Sequence, residues 1–458
     1  EHLTNSAVYI QQMLDEKGHA PDDCIALIMP QGATMAATSL ALMSTRVCVP
    51  LNPELALDEI AYLLEKIEIQ ALLTLEGFDF VSRGEFAERQ IPVLELGEDF
   101  PWIAPEADAL SLTRADSDTA LILHTSGSTS RPKIVALRHQ QLLTSARNVS
   151  RSLDLQARDI CLNMMPPFHV GALVDLLLAP LSVGGSVVVT EDASAESFWG
   201  CIESHQPTWY QGVPTMLEAV VDGAPTSRHG RGSSLRLIRA VSSALPRSLE
   251  ERAAEMFDVP IVEIYGMTET AGVITSNPLG AIKSGSVGKS AGTEVGILDG
   301  QGNLDDAGKP GEILVRGPTV IERYENGDAA DANNFMGGWL KTGDLGYVDG
   351  DGYLHITGRL KEVINRGGEK ISPLELDRLL EGYPGVSEAA AFAIPHKTLG
   401  EEVALAVVKD EGASFSEEKL KSFIGEHLAA FKVPRVIHFV DVLPRAPGGK
   451  LRRHLLAG

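Results

Sequence analysis

The sequence predicts an α/β fold: a large N-terminal domain of helix-covered β-sheets that ends in a β-rich subdomain, then a small α+β C-terminal domain. Three observations carry this. Up to about residue 357, helical spacing alternates with short apolar runs, the pattern of parallel strands covered by helices. From Gly285 to Arg316 glycines multiply around strand-like segments. After Thr357-Gly358-Arg359 the chain carries apolar faces of its own, which divides it into 1–357, a junction at 358–361, and 362–458.

Each element has a local reason. Ile60, Leu63, Leu64 and Ile67 fall on one face of a helix, and Ala71 to Thr74 follows as a buried strand. Thr119 to Leu123 (TALIL) is another, and Leu142, Ala146, Val149 and Leu153 mark the helix after it. Ser186 to Thr190 (SVVVT) and Gly311 to Arg316 (GEILVR) continue the strand series. In the last domain Ala389 to Ile394 and Val403 to Val408 read as strands. Ser416 then opens a helix with Glu417 and Glu418 in its first turn and Leu420, Phe423, Ile424 and Leu428 on its buried face.

Composition bounds the function. At 458 residues the chain suits two to four domains, and 44% apolar with 22% charged residues is ordinary for a globular protein. A net charge of -23 argues against non-specific binding to nucleic acid or anionic membranes, so any anionic ligand needs locally concentrated positive charge. Cys24, Cys48, Cys161 and Cys201 lack C-x-x-C spacing and read as packing residues in a reducing compartment, hence a cytoplasmic protein. No apolar run approaches the roughly 18 residues of a membrane span, since Asp175 interrupts Ala172 to Val183. No signal peptide is visible.

The segment Leu123 to Lys133, LHTSGSTSRPK, lies between a strand and a helix. Backbone N–H groups around Gly127, the hydroxyls of Thr125, Ser126, Ser128 and Thr129, and the Lys133 ammonium suit a polyphosphate. Composition alone equally allows a polar turn. The segment is not a Walker A loop, because Pro132 precedes Lys133 and Ile134 follows it. Tyr265-Gly266-Met267-Thr268-Glu269 joins an aromatic, a glycine, a hydroxyl and a carboxylate, which suits base stacking, phosphate approach and Mg²⁺ ligation.

These segments resemble the adenylate-forming superfamily of acyl-CoA synthetases, peptide-synthetase adenylation domains and firefly-type luciferases. Five motifs stand in family order: the Thr125 to Lys133 loop, the Tyr265 to Glu269 segment, Trp339 to Asp344, Gly358 to Ile371 and Pro444 to Lys450. Ser130 stands where most members have glycine, which restricts the loop backbone. The resemblance assigns Tyr265 to adenine or ribose packing, Thr268 to the adenylate phosphate and Glu269 to Mg²⁺. Asp344 takes the ribose diol with Arg359 assisting, and Ser243 and Ala244 border the adenine site. It makes the C-terminal domain mobile about a hinge at Lys361. Lys450 bridges acid carboxylate and α-phosphate, and the Gly367-Gly368 loop serves the second half-reaction. The opening LTNSAVYIQQML is similar to the family's first helix after a hairpin, which implies a short preceding piece.

The implied reaction uses ATP, Mg²⁺ and coenzyme A: a carboxylic acid becomes an acyl-adenylate with loss of pyrophosphate, then a thiol takes the acyl group. His169, in Pro166 to Gly171, stands where amino-acid-activating relatives carry aspartate, so the implied substrate is a small-molecule acid lacking an α-amino group. A packing role for His169 stays open. Within the superfamily the chain is most similar to the oxalate-CoA ligase branch. Gly272 replaces a histidine that binds a dicarboxylate there, which implies a roomier, more neutral pocket. Arg366, Lys432 and Arg435 are the expected contacts for the coenzyme A nucleotide. The alternatives are a loading domain that serves the phosphopantetheine of a carrier protein, and a non-catalytic nucleotide-binding homologue.

Overall fold

The structure is a computed structural model that describes residues 2–97, 100, 118–125, 132–225, 234–304, 308–325, 327, 333–410, 412–445 and 450–457. The first sheet contains β1 (Cys24–Leu27), β2 (Val47–Pro50), β3 (Ile69–Leu75), β4 (Val93–Leu96), β5 (Thr119–Thr125) and β6 (Lys133–Arg138). Its spatial order is β4-β3-β1-β2-β5-β6, parallel except for the β5/β6 pair. The second contains β7 (Ile160–Asn163), β8 (Ser186–Val189), β9 (Trp209–Gly212), β10 (Leu237–Ala240), β11 (Ile261–Met267), β12 (Gly272–Ser276) and β13 (Lys289–Ser290), ordered β13-β12-β11-β10-β9-β7-β8.

Helices Ala33–Thr45 and His139–Ser152 and the π-helical segment Gly171–Leu178 share one hydrophobic core with both sheets. Leu142, Ala146, Val149 and Leu153 all enter it, as their spacing predicts. The apolar run from Ala172 therefore goes into this core. Among the described residues no helix is long and apolar enough to cross a membrane.

The β-rich region is a third sheet of β14 (Glu294–Leu298), β15 (Gly311–Arg316), β16 (Phe335–Met336), β17 (Trp339–Val348) and β18 (Leu354–Arg359). The fourth sheet lies beyond residue 362: β19 (Ile364–Arg366), β20 (Glu369–Ile371), β21 (Val386–His396), β22 (Gly400–Lys409) and β23 (Val436–Phe439). Helices Pro373–Leu380 and Glu417–His427 pack on it through Leu376, Leu380, Leu420 and Ile424. The Ser416 hydroxyl accepts the Lys419 N–H at 3.3 Å, the cap that opens the second of these helices.

Strands β9, β10 and β11 run parallel, so their carboxyl ends and following loops lie along one edge. In open α/β sheets that edge is where ligands bind.

Candidate active site

At the nucleotide end, β12 returns antiparallel against the end of β11, with Gly266 opposite Val273 and Met267 opposite Gly272. A Cβ on Gly266 would stand 2.3 Å from the Gly272 carbonyl oxygen, so only glycine admits this return. Tyr265 is thereby buried, and its hydroxyl donates to Asp344 Oδ2 at 2.6 Å. Asp344 on β17 lies opposite Arg359 on β18, whose Nε stands 3.0 Å from Asp344 Oδ1. Burial and the Asp344 charge push the Tyr265 phenol well up, so it remains a donor. Ser243 and Ala244 sit exposed in the loop after β10. Glu263 holds that loop from below by accepting the Leu245 N–H; burial, then the Glu250 charge, raises its carboxyl to about 7.

At the phosphate end, Thr268–Thr270 form a 3₁₀ turn. Thr268 is half-buried, and Glu269 is buried with its Oε1 accepting the Tyr324 hydroxyl at 2.9 Å. Lys133 opens β6 opposite Thr125 and sets its ammonium 4.1 Å from the centroid of the Tyr324 ring. Burial raises the Glu269 carboxyl, while Tyr324 and Lys133 draw it back down. Ser126, Gly127, Ser128 and Thr129 lie outside the described residues. Tyr324 went unread in the sequence because it stands between charged Arg323 and Glu325 with no motif around it.

Lys450 reaches this site from the far end of the chain. A bridge between Arg445 and Leu451 and the Arg452 N–H on Pro444 O at 2.8 Å form its hairpin. Arg453 pins the hairpin to Asp377, to Glu362 at 3.0 Å and to the Ala391 carbonyl at 2.7 Å. The Lys450 ammonium is thus largely buried, within electrostatic reach of Arg359, Asp344, Glu362 and Glu269; burial, then Arg359, lowers its pKa. Gly367 and Gly368 are not part of this gathering. They form the exposed β19/β20 turn at φ +61° and +101°, with the Gly367 N–H on Leu399 O at 2.9 Å.

At the acid end, the His169 ring packs 4.9 Å from Phe168, centroid to centroid. The His169 residue is exposed to solvent-sized groups while protein crowds around the ring. Desolvation, with the charge of His124 adding to it, lowers His169 to about 4, so the ring is neutral near pH 7. His124 on β5, itself depressed by burial, is a second histidine that the sequence reading did not separate from the loop after it.

The expected neutral pocket is corrected here. Behind Gly171 and Gly272 lies a buried ion pair, Arg239 Nη1 to Asp175 Oδ2 at 2.8 Å, with Gln211 Oε1 accepting from the same nitrogen at 2.5 Å. Gly272 does not open a hole either: at φ +114° a Cβ would stand 2.8 Å from Asp175 Oδ1. The side chains expected to meet a nucleotide are engaged, Arg366 with Glu402, Lys432 with Glu375 and Arg435 with His396.

A family model described as AMP-binding enzyme matches residues 3–325, and one described as AMP-binding enzyme C-terminal domain matches 375–450. The oxalate–CoA ligase of Arabidopsis thaliana is 36% identical over 97% of this chain and 90% of its own length. ATP-bound MatB from Rhodopseudomonas palustris superposes with a TM-score of 0.91 at 28% identity, over 99% of this chain and 92% of that one. The o-succinylbenzoate CoA synthetase of Bacillus subtilis, in complex with its acyl-adenylate intermediate, superposes at 0.86 and 28% identity, over 100% and 92%.

Proposed function

This chain belongs to the AMP-binding enzyme family, and from that premise we propose that it activates an aromatic or medium-length carboxylic acid lacking an α-amino group, with free coenzyme A as acceptor. It is an AMP-forming acid–thiol ligase. The carboxylate oxygen attacks the α-phosphorus of ATP, the bond to the β-phosphate oxygen breaks, and pyrophosphate leaves. The thiol sulfur then attacks the acyl carbon and AMP departs.

In this reading Asp344, held by Tyr265 and Arg359, accepts the ribose diol, and the Tyr265 ring packs against the nucleoside. Lys133 meets the outgoing phosphates, and Lys450 neutralises charge between carboxylate and α-phosphate. Among the described residues no three carboxylate, histidine or thiol groups gather as a metal cage, but Mg²⁺ fits the buried carboxylate of Glu269 when ATP oxygens complete its shell. Bound there, the ion would add neutralisation of phosphate charge. Lys450 and the Gly367-Gly368 turn cannot serve the site together, which supports a C-terminal domain that turns about Lys361 between half-reactions. Four free thiols support a cytoplasmic setting.

The neutral His169 carries the choice of acid. An uncharged imidazole offers no counterion to a substrate ammonium. Pyrophosphate release across a panel of acids tests it: aryl and medium-length acids should exceed amino acids and oxalate, and the reverse order would sink the reading. Comparing coenzyme A with bare pantetheine tests the acceptor. Equal efficiency would favour carrier loading, since the nucleotide would then contribute nothing.

A further inference from the structure

The polar cluster behind the two glycines has more hydrogen-bonding capacity than the protein uses. Arg239, Asp175 and Gln211 are buried, yet Arg239 spends only Nη1 on its two partners. Arg239 Nε and Nη2, Asp175 Oδ1 and Ser145 Oγ have no hydrogen-bond partner among the described residues. The N–H groups of Nε and Nη2 lie along one edge of the planar guanidinium, so that donor edge stands unused. Orphaned buried polar atoms are costly and rare, and several at one spot call for an occupant.

Their position says which occupant. The Cβ positions of Gly272 and Gly171 lie 2.8 Å from Asp175 Oδ1 and 3.3 Å from Gln211 Nε2, and Ser145 Oγ lies 3.4 Å from the former. No side chain therefore stands between Gly171 or Gly272 and the cluster. Gly171 follows His169 by two residues and Gly272 follows Glu269 by three, spans of at most ~7–10 Å. An acid with one ring or a short chain covers that reach from the reacting carboxylate.

Charge narrows the chemistry. Asp175 and Arg239 compensate each other, so a further buried anion or cation would be left unbalanced. A neutral group that both donates and accepts satisfies the orphan carboxylate oxygen and the orphan N–H edge together. We propose that the far end of the acid pocket reads a hydroxyl group of the substrate, alcohol or phenol, which donates to Asp175 Oδ1 and accepts from Arg239. This rests on the reading of the enzyme as a ligase for non-amino acids.

The test uses the full chain with ATP, Mg²⁺ and coenzyme A, and matched acids: 4-hydroxybenzoate with benzoate, 4-hydroxyphenylacetate with phenylacetate, 3-(4-hydroxyphenyl)propionate with 3-phenylpropionate, and 6-hydroxyhexanoate with hexanoate. At least one hydroxylated member should exceed its partner by on the order of 10²-fold or more in kcat/KM, as sites built to bond a hydroxyl do. In the charge-balanced double variant Asp175→Leu/Arg239→Met that ratio should collapse to a few fold, with ATP binding retained as the check on folding. Should the double variant fail to fold, the ratios of the unmodified protein still decide. Equal turnover within every pair overturns the proposal while leaving the ligase reading intact, and so does a matching dicarboxylate that outperforms the hydroxy acid. A panel in which only oxalate or amino acids release pyrophosphate overturns the reading on which it rests.

Discussion

Replacing Lys450 by alanine should separate the two half-reactions. In this structure the ammonium is largely buried beside Asp344, Glu269, Glu362 and Arg359. A unit charge about 4 Å from developing phosphate charge is worth ~4 kcal/mol at the effective dielectric near a protein surface. Loss of one preorganised electrostatic contact typically costs about 2.7–4 kcal/mol, or 10²–10³ in rate. The two scales agree, so acyl-adenylate formation, read as pyrophosphate release under single-turnover conditions, should fall by about 10²–10³ in Lys450→Ala. Thioester formation from a supplied acyl-adenylate and coenzyme A should stay within a few fold, because in the proposed alternation the lysine leaves when the Gly367-Gly368 turn enters. An equal fall in both steps would refute domain alternation.

Three further outcomes follow from the site. Tyr265→Phe removes the donor to Asp344 Oδ2 but keeps the ring; losing a hydrogen bond to a charged group should weaken ATP binding about tenfold, read by nucleotide titration, and unchanged affinity would dismiss the Tyr265–Asp344 contact as incidental. Arg453→Met strands the nearly buried Asp377 and frees the Lys450 hairpin, so chemical denaturation should report a loss of about 3 kcal/mol for the C-terminal domain together with slower adenylation; a fully stable variant contradicts the anchoring role. His169, near about 4 in the folded protein with its unfolded value higher, binds more protons when unfolded. It therefore lowers stability as pH falls from about 6.5 towards 4, and this part of the acid sensitivity should vanish in His169→Gln. An NMR titration that finds His169 near 6.5 would overturn the enclosed, neutral ring.

What was legible in the sequence was what is contiguous. The Tyr265 to Glu269 segment gave a partial signal because it places an aromatic, a hydroxyl and a carboxylate within five residues, a signal that family order strengthened, and the helix from His139 could be read because its buried face repeats every three to four positions. Lys450 required resemblance, since nothing local distinguishes it from a solvated tail. Tyr324 and His124 escaped because their partners lie far away in sequence, Glu269 and Lys133 for Tyr324 and His169 for His124.

The buried Asp175–Arg239 pair is the instructive miss, because half of its signal was already noticed and put to another use. Asp175 was recognised as the charge that interrupts an apolar run, and this served only to exclude a membrane span. An aspartate amid residues that pack inward must itself be buried, and a buried carboxylate requires a cation. Arg239 makes the reciprocal demand, since it stands in the apolar strand Leu237–Ala240 between Ile238 and Ala240. Two such demands of opposite sign in one domain predict a pair, and the structure closes it at 2.8 Å. What sequence pairing alone could not supply is the place: the left-handed backbone at Gly272 and the close approach of Gly171 to Gln211 bring the pair up behind these two glycines. A reading based on which side chains were missing at that wall pointed to a neutral space, whereas the glycines there admit a charged, partly unsatisfied floor.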